Sequence, residues 1–530
     1  MSTPNNRENE KITKAAGIVG SATLLSRVLG LVRDQVTAYF FGAGLVADAF
    51  FVAFRIPNLL RRLLAEGALT VSFIPIFTEY LTTRSREDAF RVFRASLTLF
   101  TLVLILVTVL GVAASPWIIR VFAPGFYDEP EKFALTVYLT RIMFPYIFIA
   151  GLMALIMGGL NSLDRFAAPA LSPVMLNLGI IASVLVLMRF FDPPVLALAI
   201  GVLVGGVLQL LIQLPSLMKQ KGLLGVSFQF DHPAIKRICL LMGPAALGAA
   251  VYQFSVFINT LLASFLPEGS VSFLYYADRL MQFPLGVFAV AIGTAVLPSM
   301  SRQAADHDLE GLRQTLSFSL RLIFFITIPA TLGLIVLSEP LLQLLFQRGR
   351  FGPDSTQATA GALIAYALGL TALSSVQVLV RAFYSLKDTK TPAQIGSISL
   401  LISTGLAAAL MGPFKHVGLA LASSAASIIN FVWLLILLRR RLGRIDGRIV
   451  IKALLQDVLW SLIMALVVWL VVRDLDPKVA ISTVHLAVRV LGAGALGLGV
   501  YTALAWWGRA PETAKIRAIL NRRRRPGKQN

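Results

Sequence analysis

Long apolar runs, separated by short polar segments, occupy most of this chain. A helix that crosses the hydrocarbon core of a bilayer needs about 20 apolar residues. The first run is long and lacks a small-residue cleavage site, so we do not interpret it as a cleavable signal peptide. We predict fourteen membrane helices, at 15–42, 46–80, 95–120, 133–160, 169–189, 194–217, 237–265, 271–301, 315–338, 358–385, 392–412, 416–438, 450–472 and 485–508.

Positive charge is distributed unequally over the polar segments. If these segments alternate between two sides of a membrane, the side that contains the N-terminus holds 30 Lys and Arg and the other side holds 8. The positive-inside rule assigns the richer side to the cytoplasm. We therefore predict that both termini are cytoplasmic, with an N-terminal segment at 1–14 and a basic tail at 509–530.

One motif recurs at a constant distance. Ser162 and Pro169 correspond to Ser385 and Pro392, an offset of 223 residues, and two Leu-Ala-Leu-Ala sequences further on keep the same offset. An offset of six helices preserves orientation, which predicts parallel repeats. The predicted fold class is an all-α polytopic membrane protein of about fourteen helices, with two parallel six-helix lobes plus two C-terminal helices. The predicted boundaries are 15–217 for the first lobe, 218–236 for a cytoplasmic linker, 237–438 for the second lobe and 439–508 for the last two helices.

Composition supports this fold class and excludes others. Hydrophobic residues make up 57% of the 530 residues and charged residues only 14%, whereas soluble chains carry about 25% charged residues. The net charge of +21 could indicate nucleic-acid binding, but proteins of that class are not so apolar. We expect the excess in cytoplasmic loops that face anionic headgroups, and no nucleic-acid partner.

No motif for catalysis or metal binding is present. The four histidines are scattered without metal-ligand spacing, and Cys239 is the only cysteine. The chain contains neither a G-x-x-x-x-G-K-[ST] phosphate loop nor a G-x-S-x-G elbow. We therefore predict no metal, no cofactor and no ATP hydrolysis.

The first predicted helix contains Arg27, Arg33 and Asp34. A charge at mid-bilayer costs about 2.5–3.5 kcal/mol on insertion scales, so such residues usually face water and mark function. At 100° per residue, Arg27 and Asp34 lie about 20° apart, while Arg33 lies about 120° from Arg27. This favours a helix that borders an aqueous cavity. The alternative is that Arg33 and Asp34 pair near an interface.

The second predicted helix has a stripe of charges at spacings of 7, 7 and 4. Pro57 interrupts it, so the stripe is approximate. In the alternative interpretation, a hairpin ends near residue 63, and Arg61 and Arg62 flank the cytoplasm. The stripe consists of Asp48, Arg55, Arg62 and Glu66.

The eighth predicted helix holds Asp278, Arg279 and Gln282 before Pro284. Arginines outnumber acids in these three helices, which suits an anionic ligand such as a phosphate or a diphosphate, because a guanidinium binds two phosphate oxygens and stays protonated. A cavity for drug cations would be acidic. In a third interpretation, all these arginines form structural salt bridges.

Several motifs resemble those of the MurJ (MviN) family. The resemblance covers nearly the whole chain and is most specific in 48–68. The matching stretches are Ser26-Arg-Val-Leu-Gly-Leu-Val-Arg-Asp34, Phe41-Gly-Ala-Gly44, Asp48 to Arg62, Ala65-Glu-Gly-Ala68, Pro124-Gly-Phe126, Tyr275-Tyr-Ala-Asp-Arg-Leu280 and Lys387-Asp-Thr-Lys-Thr-Pro392.

The resemblance implies a function and a location. The family flips lipid II, the undecaprenyl-diphosphate-linked peptidoglycan precursor, across the bacterial inner membrane. The resemblance implies fourteen helices in two lobes, with a groove for the lipid tail at the last two helices. It also implies alternating access without enzymatic chemistry, lipid II and membrane lipids as partners, and peptidoglycan-synthesis proteins as candidate partners. The resemblance also places the family in the superfamily of multidrug and polysaccharide-lipid exporters. A drug/cation antiporter of that superfamily and a non-transporting structural protein are the alternatives.

The family pattern also implies site residues. It favours Arg61 over the Arg62 that helical spacing indicates, and we follow the family because a kink at Pro57 rotates the segment after it. Gln282 stands where some relatives have an acid, and the predicted helices 7, 11 and 12 hold no Asp or Glu for the sodium site of some relatives. The primary set is Arg27, Arg33, Asp34, Asp48, Arg61 and Arg279. The second set is Arg55, Arg62, Glu66, Asp278 and Gln282.

Overall fold

The computed structural model describes most of the chain, and all regular elements in the described residues are helices. Two compact units divide the chain, Met1–Val271 and Ser272–Asn530. The described backbone comprises residues 4–63, 69–443, 446–475, 482–510 and 512, and the described side chains are those of 17–63, 69–246, 253–443, 446–475, 482–510 and 512.

The first unit contains nine described helices and a short 3₁₀ turn at Pro124–Asp128. Ser85 begins the fourth helix, because its hydroxyl accepts a hydrogen bond from the Asp88 N–H at 3.1 Å. The helices are α1 Pro4–Phe41, α2 Leu45–Arg61, α3 Thr70–Thr83, α4 Arg86–Phe122, α5 Pro130–Met143, α6 Tyr146–Ser162, α7 Ala167–Leu187, α8 Leu196–Met218 and α9 Pro233–Ser264.

The second unit contains the remaining helices, except for the first two residues of α10, and a π-helical turn lies at Leu285–Ala289 after a proline. Helix α15 has a non-helical residue, Lys415, at φ 50° and ψ −133°, where two helical segments meet. The helices are α10 Ser270–Pro284, α11 Val290–Ala305, α12 Leu309–Val336, α13 Ser338–Leu345, α14 Pro353–Ser385, α15 Lys390–Leu442, α16 Gly447–Val472 and α17 Thr483–Trp507.

The helical membrane fold predicted from the sequence is confirmed, with ten helices among the described residues long and apolar enough to cross a membrane. The break at Lys415 separates the predicted segments 392–412 and 416–438, which share α15. Predicted segment 46–80 covers α2 and α3, and residues 64–68 between them lie outside the described chain. The exact number of fourteen crossings stays a prediction.

The predicted repeat has a counterpart in backbone geometry. The loop before α7 and the loop before α15 each place one residue in the left-handed region, Asp164 at φ 57° and Lys387 at φ 58°. In both loops this residue donates its N–H to the carbonyl three positions earlier, Asn161 in one and Tyr384 in the other. The offset is again 223 residues, so the two sequences that match also fold alike.

Close packing of α7 on α8 depends on small residues. A Cβ added at Gly179 would lie 2.4 Å from the Gly205 Cα, and one added at Gly201 would lie 2.9 Å from the Ile180 Cα. Such contacts let two backbones approach closely, as small residues do in membrane helix pairs. Helix α7 packs on α1 as well, which brings the polar residues of α1 and α7 together.

Candidate substrate-binding site

A polar network joins α1 to α7. The Arg33 guanidinium donates to Asp34 Oδ1 from Nε at 3.1 Å and from Nη2 at 2.7 Å. Its Nη1 donates to Asn177 Oδ1 at 3.2 Å. Asn177 Nδ2 in turn donates to the Ser26 carbonyl of α1 at 3.0 Å. Arg33 and Asp34 therefore form an ion pair, and the Asn177 amide binds it to the neighbouring helix.

The environments of Arg27 and Asp34 differ although the two residues share a helical face. Arg27 is exposed, whereas Asp34 is 1% exposed. The Arg33 side chain is 12% exposed. Of the three predicted α1 residues, Arg27 is thus the most exposed.

Asp48 lies in the first turn of α2 and is completely enclosed. Its Oδ2 is 3.3 Å from Lys132 Nζ, and both side chains are 1% exposed. The same oxygen accepts a hydrogen bond from the Gly269 N–H at 2.8 Å. The Lys132 ammonium also lies 4.2 Å from the centre of the Phe126 ring. Asp48 therefore holds α2 against α5 and against the loop that follows α9.

The α9–α10 loop also contacts the N-terminus of α2 directly. Glu268 Oε1 accepts a hydrogen bond from the Leu45 N–H at 2.5 Å. A carboxylate at this position satisfies a helix N–H and opposes the positive end of the helix dipole. The Gly125 N–H donates to Ser264 Oγ at 3.1 Å. These contacts attach the 3₁₀ turn, α2 and the end of α9 to one another within the first unit.

The remaining residues of the predicted α2 stripe differ in their partners. Arg55 Nη1 donates to Thr260 Oγ1 of α9 at 2.6 Å. Arg61 Nε donates to Asn58 Oδ1 of its own helix at 3.1 Å. Arg61 and Arg62 are both half-buried, so exposure does not distinguish them. Glu66, the last member, lies outside the described residues.

The predicted residues of α10 lie in the second unit. Asp278 and Arg279 are half-buried, and Gln282 is exposed. Gln282 Nε2 donates to Asp278 Oδ2 one turn earlier. The Gln282 amide is thus a hydrogen-bond partner of the Asp278 carboxylate.

Sequence reasoning missed two residues that organise these contacts. The predicted helix 133–160 leaves Lys132 in the polar segment before it, yet Lys132 is buried in the first turn of α5 against Asp48. Asn177 was not singled out at all. A lone polar residue within an apolar helix is a recognisable signal, because it needs an internal partner. Lys132 had no such signal, since acids and a proline precede it.

The described residues contain no group of three or more His, Cys, Asp or Glu side chains that could hold a metal ion. The chemistry available in the described part of the predicted site is that of guanidinium, carboxylate and amide groups. Such groups bind anions and polar headgroups through charge-assisted hydrogen bonds.

Comparison with known proteins identifies relatives across most of the chain. Residues 37–488 match the family model described as lipid II flippase MurJ. A probable lipid II flippase MurJ of Vibrio cholerae is 40% identical over 434 residues, which cover 80% of this chain and 82% of the relative. The lipid II flippase MurJ of Burkholderia cenocepacia is also 40% identical, over 80% of this chain and 83% of the relative.

Solved structures extend the likeness to three dimensions. A lipid II flippase MurJ in an inward closed conformation superposes with a TM-score of 0.77 at 29% identity, over 93% of this chain and 98% of that chain. An inward-facing multidrug resistance MATE transporter of the MOP superfamily gives a TM-score of 0.66 at 16% identity, over 82% of this chain and 99% of that chain. The second likeness shows the fold alone.

Proposed function

This chain belongs to the MurJ family of lipid II flippases, and from that premise we propose that it moves lipid II across the bacterial inner membrane. The supporting observation is the match of residues 37–488 to the lipid II flippase family. The proposed direction is from the cytoplasmic to the outer face, with both termini in the cytoplasm. Flipping a lipid makes and breaks no covalent bond, so the proposed activity is transport and not catalysis.

The proposed mechanism is alternating access with an arginine-bound headgroup. Arg27 is exposed, and Arg61, Arg62 and Arg279 are half-buried. A guanidinium can present two parallel N–H groups to a diphosphate and remains charged when it leaves water. We assign Arg27, Arg61 and Arg279 to the diphosphate-linked headgroup, and the polyprenyl tail to the lipid beside the last two helices.

We assign a different role to the other predicted residues. Arg33 and Asp34 contact each other and Asn177 of α7, and Asp48 contacts Lys132 of α5. Those contacts hold neighbouring helices of the first unit in place. In this proposal Arg33, Asp34 and Asp48 position α1 and α2. Arg27 and Arg61, on the same two helices, bind the substrate.

The test is lipid II translocation by purified protein in liposomes. We expect Arg27→Ala, Arg61→Ala and Arg279→Ala each to reduce translocation about tenfold or more, because a hydrogen bond to a charged group contributes roughly 1.5–3 kcal/mol. Arg62→Ala tests the choice between the adjacent arginines and should have a smaller effect. Arg189→Ala is the matched control, since Arg189 is an exposed arginine in the polar segment between α7 and α8.

Protein level distinguishes the alternatives. Loss of translocation at normal membrane abundance supports the proposed site, whereas loss of abundance alone would assign the arginines a structural role. Normal translocation by all three variants would overturn the site assignment. Transport of organic cations that requires acids and tolerates loss of the arginines would instead indicate a drug/cation antiporter.

A further inference from the structure

A buried polar contact joins three helices in the apolar core of the second unit. Tyr501 of α17 is 2% exposed and Asp457 of α16 is 3% exposed. The Tyr501 hydroxyl oxygen is 2.8 Å from the Phe325 carbonyl oxygen of α12 and 3.1 Å from Asp457 Oδ1. The Phe325 and Trp460 rings pack against the Tyr501 ring. One hydroxyl therefore faces two oxygens that both normally accept hydrogen bonds.

The Phe325 carbonyl has the stronger need for the hydroxyl proton. In an α-helix this carbonyl would accept from the N–H of the residue four positions later. That residue is Pro329, which lies inside α12 and has no N–H. A buried carbonyl without a donor costs about 1–3 kcal/mol. The Tyr501 hydroxyl supplies the missing donor, over the shorter of its two distances.

The single proton of Tyr501 is then committed to α12. Its oxygen presents lone pairs to Asp457 Oδ1 at 3.1 Å. If Asp457 were ionised, two acceptors would face each other inside an apolar core, which is unfavourable. A proton on the carboxyl removes the conflict, because a carboxylic acid donates to a hydroxyl oxygen.

The charges around Asp457 do not replace that proton. The cation facing this region from α12 is Arg321, whose Nη1 lies 3.1 Å from Glu512 Oε1, beyond the end of α17. Glu512 is 4% exposed and is itself an acid. Among the described residues, no Lys, Arg or His lies within salt-bridge distance of Asp457. Burial of an unpaired carboxylate is costly enough that the group takes up a proton instead.

We propose that Asp457 is a proton-binding site, with its carboxylic acid donating to Tyr501 and Tyr501 donating to the Phe325 carbonyl. The chain of two hydrogen bonds connects α16 to α17 and α17 to the proline position of α12. Loss of the proton would leave a buried carboxylate against a hydroxyl oxygen and weaken the attachment of the last two helices. This site goes beyond the proposed transport function, and its test does not require transport.

Infrared spectroscopy of the full-length protein in detergent tests the proton directly. At neutral pH we expect native protein to show the carbonyl stretch of a protonated carboxylic acid and Asp457→Asn to lack it. Asp354→Asn is the matched control, because Asp354 is an exposed acid at the start of α14 in the same unit. Tyr501→Phe should keep the band but shift it, since the acid then loses its acceptor.

Thermal unfolding gives a second measurement. The unfolded chain releases this proton in neutral water and the folded chain keeps it, so folding takes up one proton at Asp457. Raising the pH from about 5 to about 8 should therefore lower the melting temperature of native protein relative to Asp457→Asn. An acid band that persists in Asp457→Asn, its absence from the native protein, or a pH-independent difference in melting temperature would overturn the proposal.

Discussion

Asp48 in the first unit and Asp457 in the second are equally hidden aspartates with different neighbours. They are 1% and 3% exposed. Asp48 lies 3.3 Å from the Lys132 ammonium and also accepts a backbone N–H. Asp457 lies 3.1 Å from the Tyr501 hydroxyl. Burial alone therefore does not fix the charge of a membrane aspartate; the chemistry of the nearest side chain does.

The two arrangements stabilise helix contacts in different ways. In a buried ion pair, the attraction between the two charges offsets the free energy of removing them from water. Removing one member leaves the other as a buried charge without that compensation. A neutral acid has a smaller desolvation cost and depends on hydrogen-bond geometry instead. The first unit should accordingly be sensitive to loss of the cation, and the second to loss of the hydrogen-bond chain.

The largest expected effect follows from removing the cation of the first unit. Lys132→Met keeps the length of the side chain but leaves Asp48 buried without the ammonium. We expect a loss of about 3–5 kcal/mol in the free energy of unfolding, which is the range for breaking a buried pair. The measurements are the melting temperature in detergent and the amount of protein in the membrane.

A double variant checks the cause. Lys132→Met combined with Asp48→Asn removes the ion and its partner together, so it should recover much of the lost melting temperature. If Lys132→Met were as stable as native protein, the contrast between the ion pair and the neutral acid would not hold.

A smaller loss is expected at the α1–α7 network, where an amide accompanies the ion pair. Asn177→Ala removes the acceptor of Arg33 Nη1 and a donor to the Ser26 carbonyl. We expect a loss of about 1–3 kcal/mol in unfolding free energy, since buried groups lose their partners. Asn161→Ala, at the end of α6, is the control and should change the melting temperature little. An equal loss in both variants would mean that the network adds nothing specific.

Some features of the helices and loops could be predicted from the sequence, and others could not. Asp48 and Arg55 of the predicted stripe lie on α2 and both make polar contacts, whereas Arg62 follows the end of that helix. The 223-residue offset identified two loops with the same backbone geometry. Sequence patterns predict such features because the residues involved lie within one helix or in two segments that repeat the same sequence. Asp457 also had a sequence signal, a single acid in an apolar run, but we did not single it out.

Partners that lie far apart in sequence could not be predicted in this way. Arg33 and Asn177 are 144 positions apart, and Phe325 and Tyr501 are 176 positions apart. Their contacts depend on which helices pack together and on how those helices are positioned along their axes. A single sequence does not show either directly. The choice between Arg61 and Arg62 stays a prediction for a different reason, because it depends on how the helix is rotated after Pro57.

The smallest effect is expected where an ion pair is exposed. Arg237 of α9 donates from Nη1 to both carboxylate oxygens of Glu79 of α3, at 3.1 and 2.9 Å, and the two side chains are 57% and 46% exposed. Exposed pairs contribute about 0–1 kcal/mol, because water and salt screen them. Glu79→Gln should therefore lower the melting temperature only slightly, and high salt should remove the difference. A loss as large as that of Lys132→Met would show that geometry, rather than burial, sets the strength of ion pairs in the first unit.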